Sequence, residues 1–321
     1  MKDCPRINLK QLAAKLKQSL GIIQKKDIQT VSKILDLQAE RQVLVGDDCA
    51  AIPDNDGYLL LAAEGMWHVL VEEDPWFAGW CAVMVNISDI AAMGGKAIAI
   101  VDTIWTEDSA KAKPLLAGMK AAAQAFNVPI VGGHTNFRSA YNALSIAILG
   151  RAKKLISSFA AQPGDLLITA IDLQGEMHPQ FPFWNAATKA DPRQLQANLE
   201  ILSYLAKKDL CRAGKDISMG GIIGTLLMLI ETSHCGAVLD LDSIIPPVGI
   251  ELETWLLCFP SYGFLLSIPP HNLDLVRHKF SEQNISCNVV GEIRQGSQLI
   301  LQSASASHLF WDFSYDKFIS G

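Results

Sequence analysis

The chain has 321 residues, half of them hydrophobic and 19% charged, with 27 Lys and Arg against 33 Asp and Glu for a net charge of −6. That length and apolar share suit two globular domains or one large one, and exclude a disordered or fibrous chain. A mildly acidic chain whose basic runs stop at Lys25-Lys26 and Lys153-Lys154 is not expected to bind nucleic acid.

Residues 8–40 have helical spacing, with Leu9, Leu12 and Leu16, then Ile28, Val31, Ile34 and Leu35. Two strand-like runs follow, Gln42 to Pro53 and Tyr58 to Ala63, joined by Asp54-Asn55-Asp56-Gly57, a hairpin signal. Pro75 opens a long apolar helix that ends at Met93-Gly94-Gly95. A strand is predicted over Ala97 to Trp105, a helix over Asp108 to Phe126 with Ser109 as its cap, and strands over Val128 to Gly132 and Ala143 to Arg151. The tract from Ser157 to Asp165 reads as a junction between domains 1–155 and 156–321. Beyond it come strand Leu166–Ile171, helix Gln194–Lys207, a strand-to-turn at Ala213–Ser218 and helix Gly221–Ser233. Strand Ala237–Leu241, helix Glu251–Cys258, strand Gly263–Ile268, helix Leu273–Gln283 and strand Cys287–Ile293 complete the series. Hairpins mixed with β–α units predict an α+β or mixed α/β fold.

The Lys- and Arg-bearing N-terminus has no apolar block and does not read as a secretory signal. The longest charge-free stretch, Thr254 to Leu273, is interrupted by Pro260, Gly263, Pro269 and Pro270, so no membrane span is expected. Seven scattered cysteines (4, 49, 81, 211, 235, 258 and 287) form no C-x-x-C pair, which predicts free buried thiols in a reducing cytoplasm.

Four segments carry candidate chemistry. In Val45-Gly46-Asp47-Asp48-Cys49-Ala50 two adjacent acids sit at a strand position, where alternation sends them to opposite faces. One of them is either a Mg²⁺ ligand, since hard oxygen ligands suit that ion, or a plain turn or strand-edge acid. Asn86, Asp89 and Met93 are spaced to share one face of the apolar helix. There Asp89 needs a partner, either a metal–phosphate group or solvent at the helix surface. Val131-Gly132-Gly133-His134-Thr135-Asn136 places two glycines and hydrogen-bonding side chains just after a strand, where backbone N–H groups can approach an anion. His134 is then a phosphate donor or an ordinary turn histidine. Lys215-Asp216-Ile217-Ser218-Met219-Gly220-Gly221 reads as strand, acid, glycine turn and helix start, a frame that suits phosphate or simply caps a helix. Neither of the common nucleotide fingerprints is present. The aromatic run Phe181-Pro182-Phe183-Trp184 reads as an apolar loop plug or a pocket wall.

Taken in order, these segments resemble the superfamily of ATP-using enzymes that contains aminoimidazole ribonucleotide synthetase, thiamine-monophosphate kinase, the hydrogenase-maturation dehydratase and selenophosphate synthetase. The resemblance covers nearly the whole chain. It is carried by Gly46-Asp47-Asp48-Cys49-Ala50-Ala51, Glu72 to Gly79, Asn86 to Gly94, Gly132 to Thr135, Lys215 to Gly221, Gly263 to Leu266 and Val290 to Ile293. The chain looks most like the aminoimidazole ribonucleotide synthetase-related subfamily.

The resemblance implies two α+β domains, the first dimerising through its sheet and carrying ATP. It implies Asp48, Asp89 and Asp216 as Mg²⁺ ligands. Asp47, Glu64, Asn86, Gly132, Gly133, His134 and Thr135 fall at nucleotide-contacting positions, Glu64 standing where the family usually has Asp. The partners it implies are a second copy and a small-molecule substrate. Two departures stand out. No Gly-rich segment with a reactive Cys and Lys precedes Asp47, Cys4 and Lys25 lying outside any such frame, and Met219 replaces an acid of the thiamine kinases. The expected function is ATP- and Mg²⁺-dependent phosphoryl transfer or activation of an unidentified small molecule. The alternative is a nucleotide-binding regulatory or scaffold subunit without turnover.

Overall fold

The computed structural model describes residues 7–37 and 44–320. Three short helices come first: α1 (Leu9–Lys17), α2 (Leu20–Lys25) and α3 (Asp27–Ile34). Then follow β1 (Ala50–Asp54), β2 (Gly57–Gly65), α4 (His68–Glu73), α5 (Pro75–Ala92), β3 (Lys96–Trp105), α6 (Ser109–Phe126), β4 (Ile130–Asn136) and β5 (Ala143–Ala152). The second half holds β6 (Leu166–Ile171), β7 (Glu176–Met177), β8 (Phe183–Asn185), α7 (Pro192–Lys207), β9 (Ala213–Asp216), α8 (Gly221–Thr232), β10 (Gly236–Asp240) and α9 (Leu252–Leu256). It ends with β11 (Phe259–Pro260), β12 (Gly263–Ile268), α10 (Leu273–Ser281), β13 (Ser286–Arg294), β14 (Gln298–Ser303) and β15 (Ala306–Asp312).

Two compact units result. One comprises residues 44–156 and 185–209; the other comprises 7–37, 157–184 and 210–320. The chain thus changes unit at the 156/157 junction, while α1–α3 group with the later unit and α7 with the earlier one.

The earlier unit has a five-stranded sheet in the order β1-β2-β5-β3-β4, antiparallel except for the β3–β4 pair. The hairpin between β1 and β2 closes on Asn55-Asp56, with Asn55 left-handed at φ 49°. Pro75 opens α5 and Asp74 caps it, its carboxylate accepting from Phe77 N at 3.1 Å. The helix stops at Met93, and Gly94 takes the left-handed conformation that the exit requires. Sixteen of its eighteen residues are buried, from Phe77 to Ala92. It covers the sheet face that carries Leu60, Ile100 and Ile148. The α6 cap is Asp108, not Ser109: its carboxylate takes the N–H groups of Ala110 and Lys111 at 2.7 and 2.9 Å. An acid can close the first turn in this way with either N–H; the serine one residue later is already helical.

The later unit has a seven-stranded sheet in the order β15-β14-β10-β13-β6-β12-β9 and a small sheet β11-β8-β7. Strands β6 and β12 occupy the ranges the sequence predicts. The β14–β15 hairpin has no local signal, because its turn passes through Ala304 at φ 49° with no Asn or Gly. Asp242 holds that turn from a distance, accepting from Ala304 N at 2.6 Å and from Ser303 Oγ at 2.8 Å. The charge-free stretch from Thr254 is divided among α9, β11 and β12, and no helix among the described residues is long and apolar enough to cross a membrane.

The N-terminal helices bind to the end of the chain. Lys26 pairs with Asp316 at 2.9 Å and lies 4.6 Å from the Trp311 ring centroid, while Gln29 Nε2 donates to the Lys317 and Phe318 carbonyls. The six described cysteines are free thiols, five of them buried, and burial pushes Cys211 and Cys258 up to about 12. Cys4, Gln42 and Val43 lie outside the described residues.

Glu231, buried in α8, gathers the C-terminal segment. Its carboxylate accepts from Phe318 N, Ile319 N, Ser320 N and Ser320 Oγ at 2.7–3.3 Å. Removing it strands several buried donors, each costing its own desolvation. Glu231→Ala is therefore expected to lose about 3 kcal/mol in denaturant unfolding. A loss below about 1 kcal/mol would show that water replaces the carboxylate.

Candidate metal centre

Asp89 sits near the C-terminal end of α5, with Ile87, Ile90 and Ala91 beside it in sequence, and is 6% exposed. Nothing but the flanking sequence puts it there. The helix is apolar on every side, so any acid within it becomes a buried acid. Three residues earlier, Asn86 is fully buried. Its Nδ2 donates to Ala82 O at 2.8 Å and its Oδ1 is without a hydrogen-bond partner.

Asp48 approaches from the other end of the same unit's chain. It lies not on a strand but on a bend over 45–49, where Gly46 has φ 124° and β1 begins only at Ala50. The expected alternation of Asp47 and Asp48 across a pleat therefore does not apply. Both are half-buried on the bend, and a carboxylate oxygen of Asp48 lies within 4.8 Å of one from Asp89.

In the later unit, Asp216 ends β9, paired in register with Phe264 of β12, and is buried. Its carbonyl accepts from Thr225 Oγ1 at 3.2 Å. The chain then turns through Ser218 and the left-handed Gly220 and Gly221 into α8. A Cβ on Gly221 would stand 2.3 Å from Leu256 O, so only glycine fits.

The remaining candidates spread along the sheet of the earlier unit. Glu64 is exposed near the end of β2, its carbonyl accepting from Ser145 Oγ at 3.0 Å. Gly132 to Thr135 lie within the edge strand β4, not in a turn after it, and all are exposed. The run stays extended because it pairs in parallel with Val101 to Ile104. His134 faces Trp105, ring centroids 6.2 Å apart. Strands β2 and β4 are separated by β5 and β3, or roughly 14 Å across three strand spacings. Glu64 and the 132–135 segment therefore occupy separate parts of this sheet.

Two acids escaped the sequence reading. Burial raises the Asp102 carboxyl on β3, partly offset by a backbone hydrogen bond. Burial likewise raises Asp172, just beyond β6, against the Gln174 N–H that it accepts at 2.9 Å. Their signal was an acid inside or at the end of an apolar strand run. Asp102 also explains Gly133: a Cβ there would lie 2.4 Å from Asp102 O and 2.7 Å from its carboxylate.

The model for the AIR synthase related protein N-terminal domain matches residues 46–152, and that for the C-terminal domain matches 163–303. The chain belongs to this family, with its two-domain α+β fold. An uncharacterized protein of Synechocystis is 54% identical over 95% of this chain and 96% of its own length. The thiamine-monophosphate kinase of Pyrococcus horikoshii is 25% identical over 80% of this chain and 85% of its own. Among solved structures, Thermotoga maritima PurL complexed with ATP superposes with a TM-score of 0.74 at 17% identity over 94% of this chain. The chain spans about half of that PurL chain, 51%. AaThiL complexed with AMPPCP and TMP gives a TM-score of 0.66 at 17% identity, covering 96% of this chain and 100% of its own.

Gly133→Ala forces the new methyl against β3 and is expected to cost about 1–3 kcal/mol in chemical unfolding. Gly65→Ala, whose methyl meets nothing within 4 Å, stays within about 0.5 kcal/mol. Equal losses for the two would show that β4 does not sit tightly over Asp102.

Proposed function

We propose that this protein is an ATP- and Mg²⁺-dependent enzyme. It transfers the terminal phosphoryl group of ATP to an oxygen of a small molecule, releasing ADP, either as the final product or to activate a carbonyl for attack. The observation that carries the reading is the pair Asp48 and Asp89, two carboxylates within 4.8 Å with one buried in an apolar helix. Like charges at that separation repel by about 3 kcal/mol at an effective dielectric near 20, and a divalent cation between them reverses the sign. Carboxylate oxygens are the donors that Mg²⁺ prefers, so the residues fit the ion.

In this reading Asp48 and Asp89 hold Mg²⁺, and Asp216 is likewise proposed as a Mg²⁺ ligand. Bound Mg²⁺ neutralises charge on the nucleotide's phosphates. The chain's own part is positioning: a rigid buried helix fixes Asp89, and the bend at Gly46 brings Asp48 to it. Asp47, Glu64, Asn86 and Gly132 to Thr135 are the proposed nucleotide contacts. The names of the kinase relative and of the ATP-bound neighbour support dependence on ATP. The buried free thiols suit a reducing cytoplasm. Glu64, where the family usually has Asp, favours a second reading: a nucleotide-binding regulatory subunit without turnover. Mg²⁺-dependent release of ADP from ATP in the presence of candidate acceptors separates the two.

Asp89→Asn tests the metal assignment. The variant should lose the thermal stabilisation that Mg²⁺-ATP gives the wild type, since a ligand that binds only the folded state raises its melting temperature. Without nucleotide it should be as stable as the wild type or slightly more so, because a buried charge has been removed. A destabilised variant that still binds Mg²⁺-ATP normally contradicts the assignment.

We also propose a homodimer closed across the sheet of the earlier unit. On the face away from α5, Leu61 pairs with Leu149, and both, with Val101, are 37–47% exposed. An apolar sheet face of this kind is normally covered. Light scattering at micromolar concentration should give twice the 34.9 kDa of one chain; a mass of one chain would refute the dimer.

A further inference from the structure

Helices α1 and α2 leave a cleft against the end of β15 and the turn that follows it, wholly within the later unit. Its volume is about 450 Å³, in the range of small-molecule pockets. Buried Ile22, Phe310 and Trp311 back it. Ile23, Leu309 and Tyr315 line its open side and are 52%, 47% and 91% exposed. A tyrosine as exposed as Tyr315 packs into no core, and its ring offers a face for stacking.

Four charged side chains border the cleft, and three of them are committed. Lys26 pairs with Asp316 at 2.9 Å. The Asp312 carboxylate accepts from Ser314 Oγ, Gln298 Nε2, Ser314 N and Ser297 Oγ at 2.6–2.9 Å, and these bonds hold it well below the usual carboxylate range. Lys17 is the fourth. Its ammonium lies 5.4 and 5.5 Å from the ring centroids of Phe310 and Trp311, and among the described residues it makes no ion pair or hydrogen bond. A ring face attracts a cation but does not neutralise it. The cleft thus combines one uncompensated positive charge with an apolar wall open to solvent.

We propose that this cleft binds a small aromatic carboxylate, its carboxylate paired with the Lys17 ammonium and its ring packed against Ile23, Leu309 and Tyr315. None of these residues is among the metal and nucleotide contacts proposed above. A triphosphate is the wrong ligand here, because one free ammonium matches one negative charge and the Asp312 and Asp316 carboxylates repel a polyanion. The body of the ligand gains from leaving water, and the charge fixes which end points at α1.

Ligand-observed NMR titration of the full chain tests this, with 2-naphthoate as the probe and 2-naphthalenemethanol as its uncharged counterpart. The wild type should bind the acid at least fivefold more tightly than the alcohol. Lys17→Met should abolish that preference by weakening the acid, leaving the alcohol within twofold of wild type, and Lys17→Arg should retain it. Tyr315→Ala, at a site too exposed to disturb folding, should weaken both probes at least threefold. Lys10→Met, on the exposed side of α1 and outside the cleft, should bind both as the wild type does. Mg²⁺-ATP should displace neither probe. Melting temperatures show whether each variant is folded; if Lys17→Met is not, Tyr315→Ala and Lys17→Arg decide. No binding by the wild type, or equal binding of acid and alcohol, overturns the proposal. Affinities that Tyr315→Ala leaves unchanged overturn it too, as does an acid preference that survives in folded Lys17→Met, or displacement by Mg²⁺-ATP, since each places the probe elsewhere.

Discussion

A carboxylate inside an apolar helix constrains everything near it. Asp89 is surrounded by residues chosen for burial, and the chain brings a second acid, Asp48, within 4.8 Å of it. An arrangement of this sort lowers stability unless a cation offsets it. Much of the earlier unit exists to enforce the approach. Pro75 and Asp74 fix where α5 begins, Gly94 fixes where it ends, and the five-stranded sheet holds it from one side. The bend at Gly46 then turns the chain so that Asp48, and not a strand side chain, meets the helix.

The later unit presents the same logic in another form. Asp216 closes an inner-facing strand, and a glycine pair starts a helix directly after it. The far end of that helix is anchored by Glu231 to the last described residues, and those residues receive α3 through Gln29. Helix α2 lies between, against Gly220. The turn after Asp216 is thus packed against α2 at Gly21, while the other end of α8 is held by the C-terminal segment.

Much of this was legible in the sequence. The apolar helix with its Pro start and Gly stop, the Asn-Asp hairpin, and strands β6 and β12 follow from local signals that the tertiary structure reinforces. The acid in the helix was legible as well, because burial and charge conflict within a few residues. Other features depend on contacts that no local pattern carries. The β14–β15 turn relies on Asp242, 61 and 62 residues from the two groups it accepts from. The extended Gly132-Gly133 run relies on β3 and on the Asp102 side chain lying over Gly133. The hydrogen bond from Lys25 to Ser218 joins residues 193 positions apart, which no local pattern shows. Asp48 was read on a strand since Val43 to Ile52 is apolar apart from the acids; glycine at 46 overrides that propensity.

The central claim is that the acids bind a divalent cation together with nucleotide. Electron paramagnetic resonance of Mn²⁺, used in place of Mg²⁺, tests it most directly. Titrating Mn²⁺ with a non-hydrolysable ATP analogue into the wild type should deplete the free-ion signal, and Asp48→Asn should abolish that depletion. A free-ion signal that falls equally in the wild type and in Asp48→Asn would contradict the account.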